Sequence, residues 1–410
     1  MQNRNYSLWV LYDFANSLAF VNVSFYFSLW LVSDHGFSDF WVSIATVAST
    51  VLLLLTLPFL SHFSDRTGKR ILFLRVFTLL SILSLGILGW LAMKFPFTTT
   101  LGFTVLLFYF FFQLFFQGSF SFYNAFIQDF TAKKTADQVS GMGMGFGQLG
   151  NMIGILLVLP LAEGSMNLLG ESGRGATFFA SAGLFLIFAL PSLLFLKDKR
   201  APTPLTERFN FTGSLKKVLK TRGVLAYLLS YYFFADAILT LQLFVGLYLE
   251  EVAGMDDRQK TLTMVVALIC GCLGAWLAPA FARWIKSSYR AIKYLILSWA
   301  ILLGLFSMAV APLFFSVLIV LNGFAFGALF ALSRSYYSEI TPKESQAEYF
   351  SIYVLFERAA SILGPLVWSS TVLVFASHGG DKYRFAMFSL AILVAISFGI
   401  FLKVPKDKTL

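Results

Sequence analysis

Long apolar runs alternate with short polar connections along the whole chain. Each run is about as long as the roughly 20 residues that an α-helix needs to cross a bilayer. The polar connection after the sixth run is the longest, and it divides the chain into two halves. We therefore predict an N-terminal six-helix bundle over 1–196, a linker over 197–221 and a C-terminal six-helix bundle over 222–410. The twelve predicted spans lie near 8–32, 39–62, 71–93, 99–124, 140–162, 175–196, 224–249, 261–284, 291–311, 313–337, 349–376 and 383–403.

The composition agrees with an all-α polytopic membrane protein. Hydrophobic residues make up 58% of the chain and charged residues only 13%, against about 25% charged residues in soluble domains. These values exclude a soluble enzyme, a disordered protein and a nucleic-acid binder. The net charge of +10 is therefore interpreted as an excess of Lys and Arg in cytoplasmic loops.

The distribution of basic residues predicts the orientation. Connections on the side of the N-terminus hold 23 of the 31 Lys and Arg residues, and those on the opposite side hold 6. This asymmetry predicts cytoplasmic N- and C-termini and a basic cytoplasmic linker. The compact loops favour a prokaryotic plasma (inner) membrane, and a vacuolar membrane is the alternative left open.

Internal similarity relates the two halves. Asp13 and Asp236 lie 223 residues apart, each within the first predicted span of its half. The segments that begin at Leu57 and Ala278 are similar at an offset of 221, and those that begin at Asp129 and Glu339 at an offset of 210. Three similar offsets indicate duplicated six-helix halves.

The loop between the second and third spans resembles the loop signature of the major facilitator superfamily, with Ser61 in place of its first Gly. The matching residues are Asp65, Arg66, Gly68, Lys69 and Arg70. Gly68 permits the tight turn that a short helix connection requires. The resemblance implies twelve helices in two pseudo-symmetric bundles around a central cavity, with this loop as a cytoplasmic gate. The alternative is that these residues are ordinary positive-inside charges.

Two shorter motifs resemble the vacuole amino-acid effluxer-like branch of that superfamily. They lie at 9–17 (WVLYDFANS) and 231–237 (YYFFADA), and Tyr123-Asn124-Ala125-Phe126 is also similar. This resemblance implies a secondary transporter of a small polar solute that works by alternating access, with amino acids as the first guess. A multidrug- or lipid-like exporter and a non-transporting receptor are the alternatives.

Asp13 and Asp236 are the strongest candidates for function. A carboxylate within a span costs about 2.5–3.5 kcal/mol on insertion scales, so each needs water, a partner or a role such as proton coupling. Asn16 shares the helix face of Asp13 by its i+3 spacing, and Gln242 follows Asp236 on the same helix. For Asp13 the alternative is a structural polar clamp. For Asp236 it is an ion pair with Arg358 or Arg334.

The remaining candidates lie on spans four, five and eleven. Gln113, Gln117 and Asn124 form a polar stripe with Tyr109 that either lines the cavity or joins helices by hydrogen bonds. Glu357 and Arg358 are adjacent in span eleven, and the 210-residue offset equates Arg358 with Gln148. An arginine there suits a carboxylate or phosphate, because its planar fork binds such groups bidentately. Alternatively, Arg358 neutralises Glu357 or Asp236.

Small residues and proline predict how the spans pack. Glycine rows in spans five, eight and ten predict close helix crossings, and Gly364-Pro365 predicts a kink in span eleven. The sequence holds no nucleotide-binding motif and no metal-ligand spacing. We therefore expect no enzyme, cofactor or metal, and a gradient as the energy source. The expected partners are a small-molecule substrate, the lipid bilayer and protons, without nucleic acid, and the expected oligomeric state is a monomer.

Overall fold

The computed structural model describes residues 2–126, 130, 136–198, 211–221, 223–342 and 346–406. Within these ranges the chain is helical, apart from loops and one isolated β-bridge between Leu168 and Glu171. The α-helices are α1 (Gln2–Ser28), α2 (Asp39–Thr67), α3 (Arg70–Lys94), α4 (Thr99–Asn124), α5 (Ala136–Ala162), α6 (Arg174–Phe195), α7 (Phe211–Lys220), α8 (Val224–Glu251), α9 (Asp257–Ile285), α10 (Ser288–Met308), α11 (Pro312–Ile340), α12 (Gln346–Ala359), α13 (Leu363–Val374) and α14 (Lys382–Phe401). A π-helical segment, Leu29–Asp34, extends α1, and a 3₁₀ segment, Ala376–Asp381, precedes α14.

The helices confirm the predicted spans. In the described part of the chain, eleven helices are long and apolar enough to cross a membrane. The remaining predicted span, 349–376, is present as two shorter helices, α12 and α13. The protein is therefore an integral, multi-pass membrane protein with an all-α fold.

The chain forms two compact units. Unit 1 comprises Met1–Glu207 together with Asp256–Thr261, and unit 2 comprises Arg208–Met255 together with Leu262–Leu410. One boundary between the units lies within 197–221, and the segment 256–261 is separated from the rest of 222–410. Helix α7 lies within 197–221 and belongs to unit 2.

The first spanning helix of each unit is its most buried one. In the most apolar 18-residue window of each span, 83% of the residues are buried in α1 and 61% in α8, more than in any other described span. The polar residues that these two helices bury, Asp13 and Asp236 among them, are therefore shielded from lipid. This position makes α1 and α8 the elements on which a polar site can be built.

Glycines set the closest helix contacts, as the sequence predicted. In unit 1, Gly150 and Gly154 of α5 face the backbone carbonyls of Phe14 and Leu18 in α1. In unit 2, glycines of α9 and α11 face each other's backbone in the same way: Gly271, Gly274, Gly323 and Gly327. A side chain at these positions would collide with backbone atoms, so only glycine allows this approach.

Span eleven is broken rather than kinked. Helix α12 ends at Ala359 and α13 begins at Leu363, so three residues lie outside either helix. Pro365 explains the position, because its ring cannot donate a hydrogen bond and clashes with the carbonyl four residues earlier, at Ser361. The prediction of a distortion here is confirmed, and its extent is greater than a kink.

Candidate functional site

In unit 1, Asp13 is buried between α1 and α5. Asp13 is 6% exposed. A Cβ atom at Gly143 would lie 3.2 Å from Asp13 Oδ2, and one at Gly147 would lie 2.9 Å from Ser17 Oγ. The absence of side chains at these two glycines therefore leaves the space that the polar face of α1 occupies.

Aromatic residues form the wall beside Asp13. The Trp9 ring stacks on the Tyr123 ring at 4.7 Å with an interplanar angle of 2°. The Trp9 Nε1–H donates to the Tyr123 carbonyl at 3.1 Å, and Tyr12 shares a 2.6 Å hydrogen bond with Thr78. Sequence reasoning did not select these aromatic residues, although Trp9 and Tyr12 lie in the motif that contains Asp13. Their signal in the sequence was two aromatic residues, at positions 9 and 12, directly before a buried carboxylate.

Asn16 lies one turn beyond Asp13 and is 2% exposed. Its buried side-chain oxygen has no hydrogen-bond partner among the described residues. An unsatisfied buried acceptor costs about 1–3 kcal/mol, so Asn16 is suited to accept a hydrogen bond from a solute. The structure thus brings Asp13 and Asn16 together on one helix face, as their spacing predicted.

The polar stripe of α4 joins α4 to α2. Gln113 donates to the Tyr109 hydroxyl at 2.8 Å, and that hydroxyl lies 3.2 Å from Thr46 Oγ1. Gln117 donates to Thr50 Oγ1 at 3.4 Å. These contacts match the interhelical hydrogen bonding that the sequence left open as one alternative.

The other candidates in unit 1 are less enclosed. Gln148 accepts a 3.2 Å hydrogen bond from Asn151 on the same helix, and both residues are half-buried. Asn124 is half-buried at the last residue of α4. Both amides are therefore more accessible than the carboxylate of Asp13.

In unit 2, Asp236 lies at the break in span eleven. It is fully buried near the middle of α8. Its Oδ2 accepts a 2.7 Å hydrogen bond from the backbone N–H of Gly364, in the first turn of α13. A carboxylate at a helix N-terminus satisfies an N–H that has no partner in the helix and is stabilised by the helix dipole.

The second carboxylate oxygen of Asp236 is left open. Asp236 Oδ1 is buried and has no hydrogen-bond partner within the described ranges. A Cβ atom at Gly364 would lie 2.9 Å from this oxygen and would also collide with Thr240 Oγ1. Glycine at 364 therefore allows the carboxylate to reach the helix end. Gln242 lies six residues further along α8, on a different face, and is half-buried.

Arg334 and Arg358 do not form the ion pair with Asp236 that the sequence left open as an alternative. Arg334 of α11 pairs with Glu357 of α12 at 3.1 Å, and their side chains are 37% and 19% exposed. Asp236 has no ion pair in the part of the chain that the structure describes. Arg358 follows Glu357 and is half-buried. Sequence reasoning named Arg334 only as a partner of Asp236, because the pairing depends on how α11 packs against α12.

The loop motif between α2 and α3 is partly a clamp within unit 1. Gly68 has a φ of +64°, which confirms the tight turn predicted for glycine. Arg70 is 1% exposed and pairs with Asp198 at 2.6 Å. It also donates to the Ala125 carbonyl at 2.9 Å, so it joins the start of α3 to the ends of α4 and α6. Lys69 is exposed, and the side chains of Asp65 and Arg66 lie outside the described part.

A second ion cluster in unit 1 was not predicted. Arg174 at the start of α6 pairs with Asp34 at 2.7 Å and with Asp257 at 2.8 Å. Asp257 also pairs with Lys260 at 2.8 Å, although the Lys260 side chain is fully buried. The sequence showed these residues only as loop charges, because Asp34 and Asp257 are far from Arg174 in the chain.

The described part of the chain has eleven helices that can cross a membrane and a further span divided into α12 and α13. This arrangement defines the class of the protein: it has the fold of major facilitator transporters. A point mutant of the nucleoside transporter NupG has a TM-score of 0.78 and 13% identity over 97% of this chain and 99% of its own. A bacterial homologue of the human lysosomal transporter Spinster, in an inward-facing, unoccupied form, has a TM-score of 0.76 and 13% identity over 98% and 97%.

Within this class, the chain belongs to the family described as "Vacuole effluxer Atg22 like", whose profile matches residues 24–410. An MFS-type transporter of Bacillus subtilis, YxiO, itself uncharacterised, is 27% identical over 97% of this chain and 94% of its own length. Autophagy-related protein 22 of Yarrowia lipolytica is 24% identical over 66% of this chain. The chain covers 51% of that fungal protein.

Proposed function

We propose that the protein is a secondary transporter that moves a small polar solute, with amino acids as the first candidates, by alternating access. The family and the fold support transport, and the buried polar groups of both units support a polar cargo. A prokaryotic inner membrane is the proposed location, on the basis of the compact loops and the basic residues of one side.

The observation that carries the proposal is the open carboxylate oxygen of Asp236. It is buried in the middle of a spanning helix, beside the N-terminus of the half-helix α13. Broken helices near the midplane, with their ends directed at the cargo or the coupling ion, are the recurrent binding device of secondary transporters. A buried oxygen without a hydrogen-bond partner is energetically costly. If Asp236 only capped α13, there would be no reason to keep its second oxygen without a partner.

Asp236 and Asp13 are the groups through which we propose proton coupling. Each is a buried carboxylate in the first spanning helix of its unit. Each lies against glycines of a neighbouring helix, Gly143 for Asp13 and Gly364 for Asp236. A proton can neutralise Asp236 without breaking an ion pair, because this carboxylate has none within the described residues.

The charges on α11 and α12 suit the charged ends of an amino acid. Arg334, Glu357 and Arg358 supply two guanidinium groups and one carboxylate. A guanidinium fork binds a carboxylate bidentately, and a carboxylate accepts from an ammonium group. We propose that Arg358 contacts the cargo carboxylate while the pair between Arg334 and Glu357 is retained.

A thermal-shift screen of the purified protein tests this proposal. The ligands are amino acids, small peptides, carboxylates, sugars and lipophilic drugs, each at two pH values. A ligand that binds the folded state raises its melting temperature according to its occupancy. We expect a response to amino acids that is lost in Asp236→Asn and Arg358→Ala.

The matched control is Asp381→Asn. This variant removes a carboxylate that is 69% exposed and that pairs, among the described residues, with Arg384 alone. This variant should respond as the wild type does. A response restricted to lipophilic compounds would contradict the proposal and favour an exporter with an apolar cavity.

A further inference from the structure

A cavity of about 680 Å³ lies at one end of unit 2 and is not used by the proposed transport site. It is formed where α9 and α11 end, where α10 begins, and where the chain continues after α14. The basic residues Arg283, Lys286 and Lys406 line it, and Glu339 is its acidic residue. This end of the unit is the side that the charge distribution predicts to be cytoplasmic.

The three cations of the cavity are available to a ligand. Arg283, Lys286 and Lys406 are exposed. Within the described ranges none of them forms an ion pair with a carboxylate. Glu339 accepts a hydrogen bond from the Ser288 hydroxyl at 3.0 Å, and its single negative charge offsets only one of the three cations. The cavity thus carries an excess of positive charge.

The start of α10 adds hydrogen-bond donors. The first turn of a helix presents N–H groups that have no partner within the helix, and Ser288 and Tyr289, the first two residues of α10, line the cavity. The dipole of this 21-residue helix also favours an anion at that end. Both features select for negative charge rather than for a neutral solute.

An unsatisfied buried hydroxyl points independently to a ligand. Tyr289 lines the cavity and is 5% exposed, and its hydroxyl has no hydrogen-bond partner among the described residues. Its ring is fixed by stacking on Phe401 at 5.0 Å. A buried hydroxyl without a partner destabilises the protein, and an anion in the cavity would supply the missing acceptor.

The level of the cavity indicates where the anion comes from. Trp284, next to Arg283 at the end of α9, is 79% exposed. Exposed tryptophans at helix ends lie in the headgroup region of a bilayer, so the cavity opens at the depth of lipid phosphates. Basic pockets between helix ends at this depth bind anionic headgroups.

We propose that this cavity binds a phosphate group, supplied by an anionic phospholipid of the cytoplasmic leaflet, through Arg283, Lys286, Lys406, the Tyr289 hydroxyl and the backbone N–H groups of Ser288 and Tyr289. A soluble phosphate has the same chemistry, and the experiment distinguishes the two sources. The site is separate from Asp236 and Arg358, so its test does not depend on the transport proposal.

The test measures binding to the purified full-length protein of micelles with phosphatidylglycerol, micelles with phosphatidylcholine, or inorganic phosphate. We expect phosphatidylglycerol to bind more tightly than phosphatidylcholine. Arg283→Gln should weaken that binding about tenfold, because it removes a charge-assisted hydrogen bond. The control is Arg290→Gln. This variant removes an exposed charge near the start of α10, and Arg290 does not line the cavity.

Two further variants separate binding from folding. Tyr289→Phe keeps the stacked ring and removes only the hydroxyl. Lys286 has a φ of +59°, a conformation that glycine adopts more readily. Lys286→Gly therefore removes the ammonium group without a loss of stability. Both should weaken phosphatidylglycerol binding several-fold while the protein melts no lower than the wild type.

The outcomes are decisive in either direction. Binding of inorganic phosphate alone, with the same loss in the variants, would support the phosphate site and assign it to a soluble ligand. Equal binding of phosphatidylglycerol and phosphatidylcholine, or equal effects of Arg283→Gln and Arg290→Gln, would overturn the proposal.

Discussion

At the scale of single residues, the buried charges of this protein have separate roles. Arg70 is paired with Asp198 and joins three helix ends of unit 1. Asp236 instead reaches a backbone N–H and keeps one oxygen open. Burial alone therefore does not identify a functional charge, and the distinction rests on whether each polar atom has a partner.

Substitution of Asp236 should separate its two roles. Asp236→Asn keeps an oxygen that can accept from the Gly364 N–H, so we expect a melting temperature near that of the wild type. Asp236→Ala leaves that N–H buried without a partner and should cost about 1–3 kcal/mol of stability. Thermal unfolding in detergent compares the two variants. Equal destabilisation by both would contradict the hydrogen bond to Gly364.

Arg70 should be more important for stability than its neighbour in the same loop motif. Arg70→Ala leaves the Asp198 carboxylate without its cation and should destabilise the protein by about 3–5 kcal/mol. Lys69→Ala is the control, because Lys69 is exposed and surface substitutions are usually within about 0.5 kcal/mol. Thermal unfolding of both variants checks this difference, and similar melting temperatures would count against the clamp.

At the scale of elements, the sequence predicted the spans well, and α4 begins and ends at the predicted residues, 99 and 124. Long apolar runs specify such helices locally. The break between α12 and α13 could be predicted only as a kink at Pro365, because its cap comes from Asp236, 128 residues away. The partner of Arg70 was equally hidden, since Asp198 meets it only after α3 and α6 pack.

The glycines of α5 provide a test at this scale. Gly150→Ala would place a Cβ atom against the Phe14 backbone carbonyl, which cannot move aside, so we expect about 1–3 kcal/mol of destabilisation. Gly145→Ala is the control in the same helix, because nothing lies within 4 Å of a Cβ atom there. It should stabilise the helix by about 0.5–1 kcal/mol. Thermal unfolding that showed the same sign for both would contradict the close packing of α1 and α5.

At the scale of the whole molecule, the charge distribution predicts which ends of the helices face the cytoplasm. Lys69 and Lys94 lie at opposite ends of α3. In intact cells, the Lys69→Cys variant should therefore be protected from a membrane-impermeant maleimide, and the Lys94→Cys variant should be labelled. The background is Cys270→Ser with Cys272→Ser, which removes the two native cysteines. The reverse labelling pattern would contradict the predicted orientation.

The most direct measurement of the central claim is solute counterflow in proteoliposomes under an imposed pH gradient, with an amino acid that stabilises the purified protein. We compare the wild type, the double variant Asp13→Asn with Asp236→Asn, and the control Asp381→Asn. The account predicts that the gradient drives counterflow in the wild type and the control, and that the double variant loses this response. Unchanged gradient-driven counterflow in the double variant would contradict coupling through these two buried carboxylates.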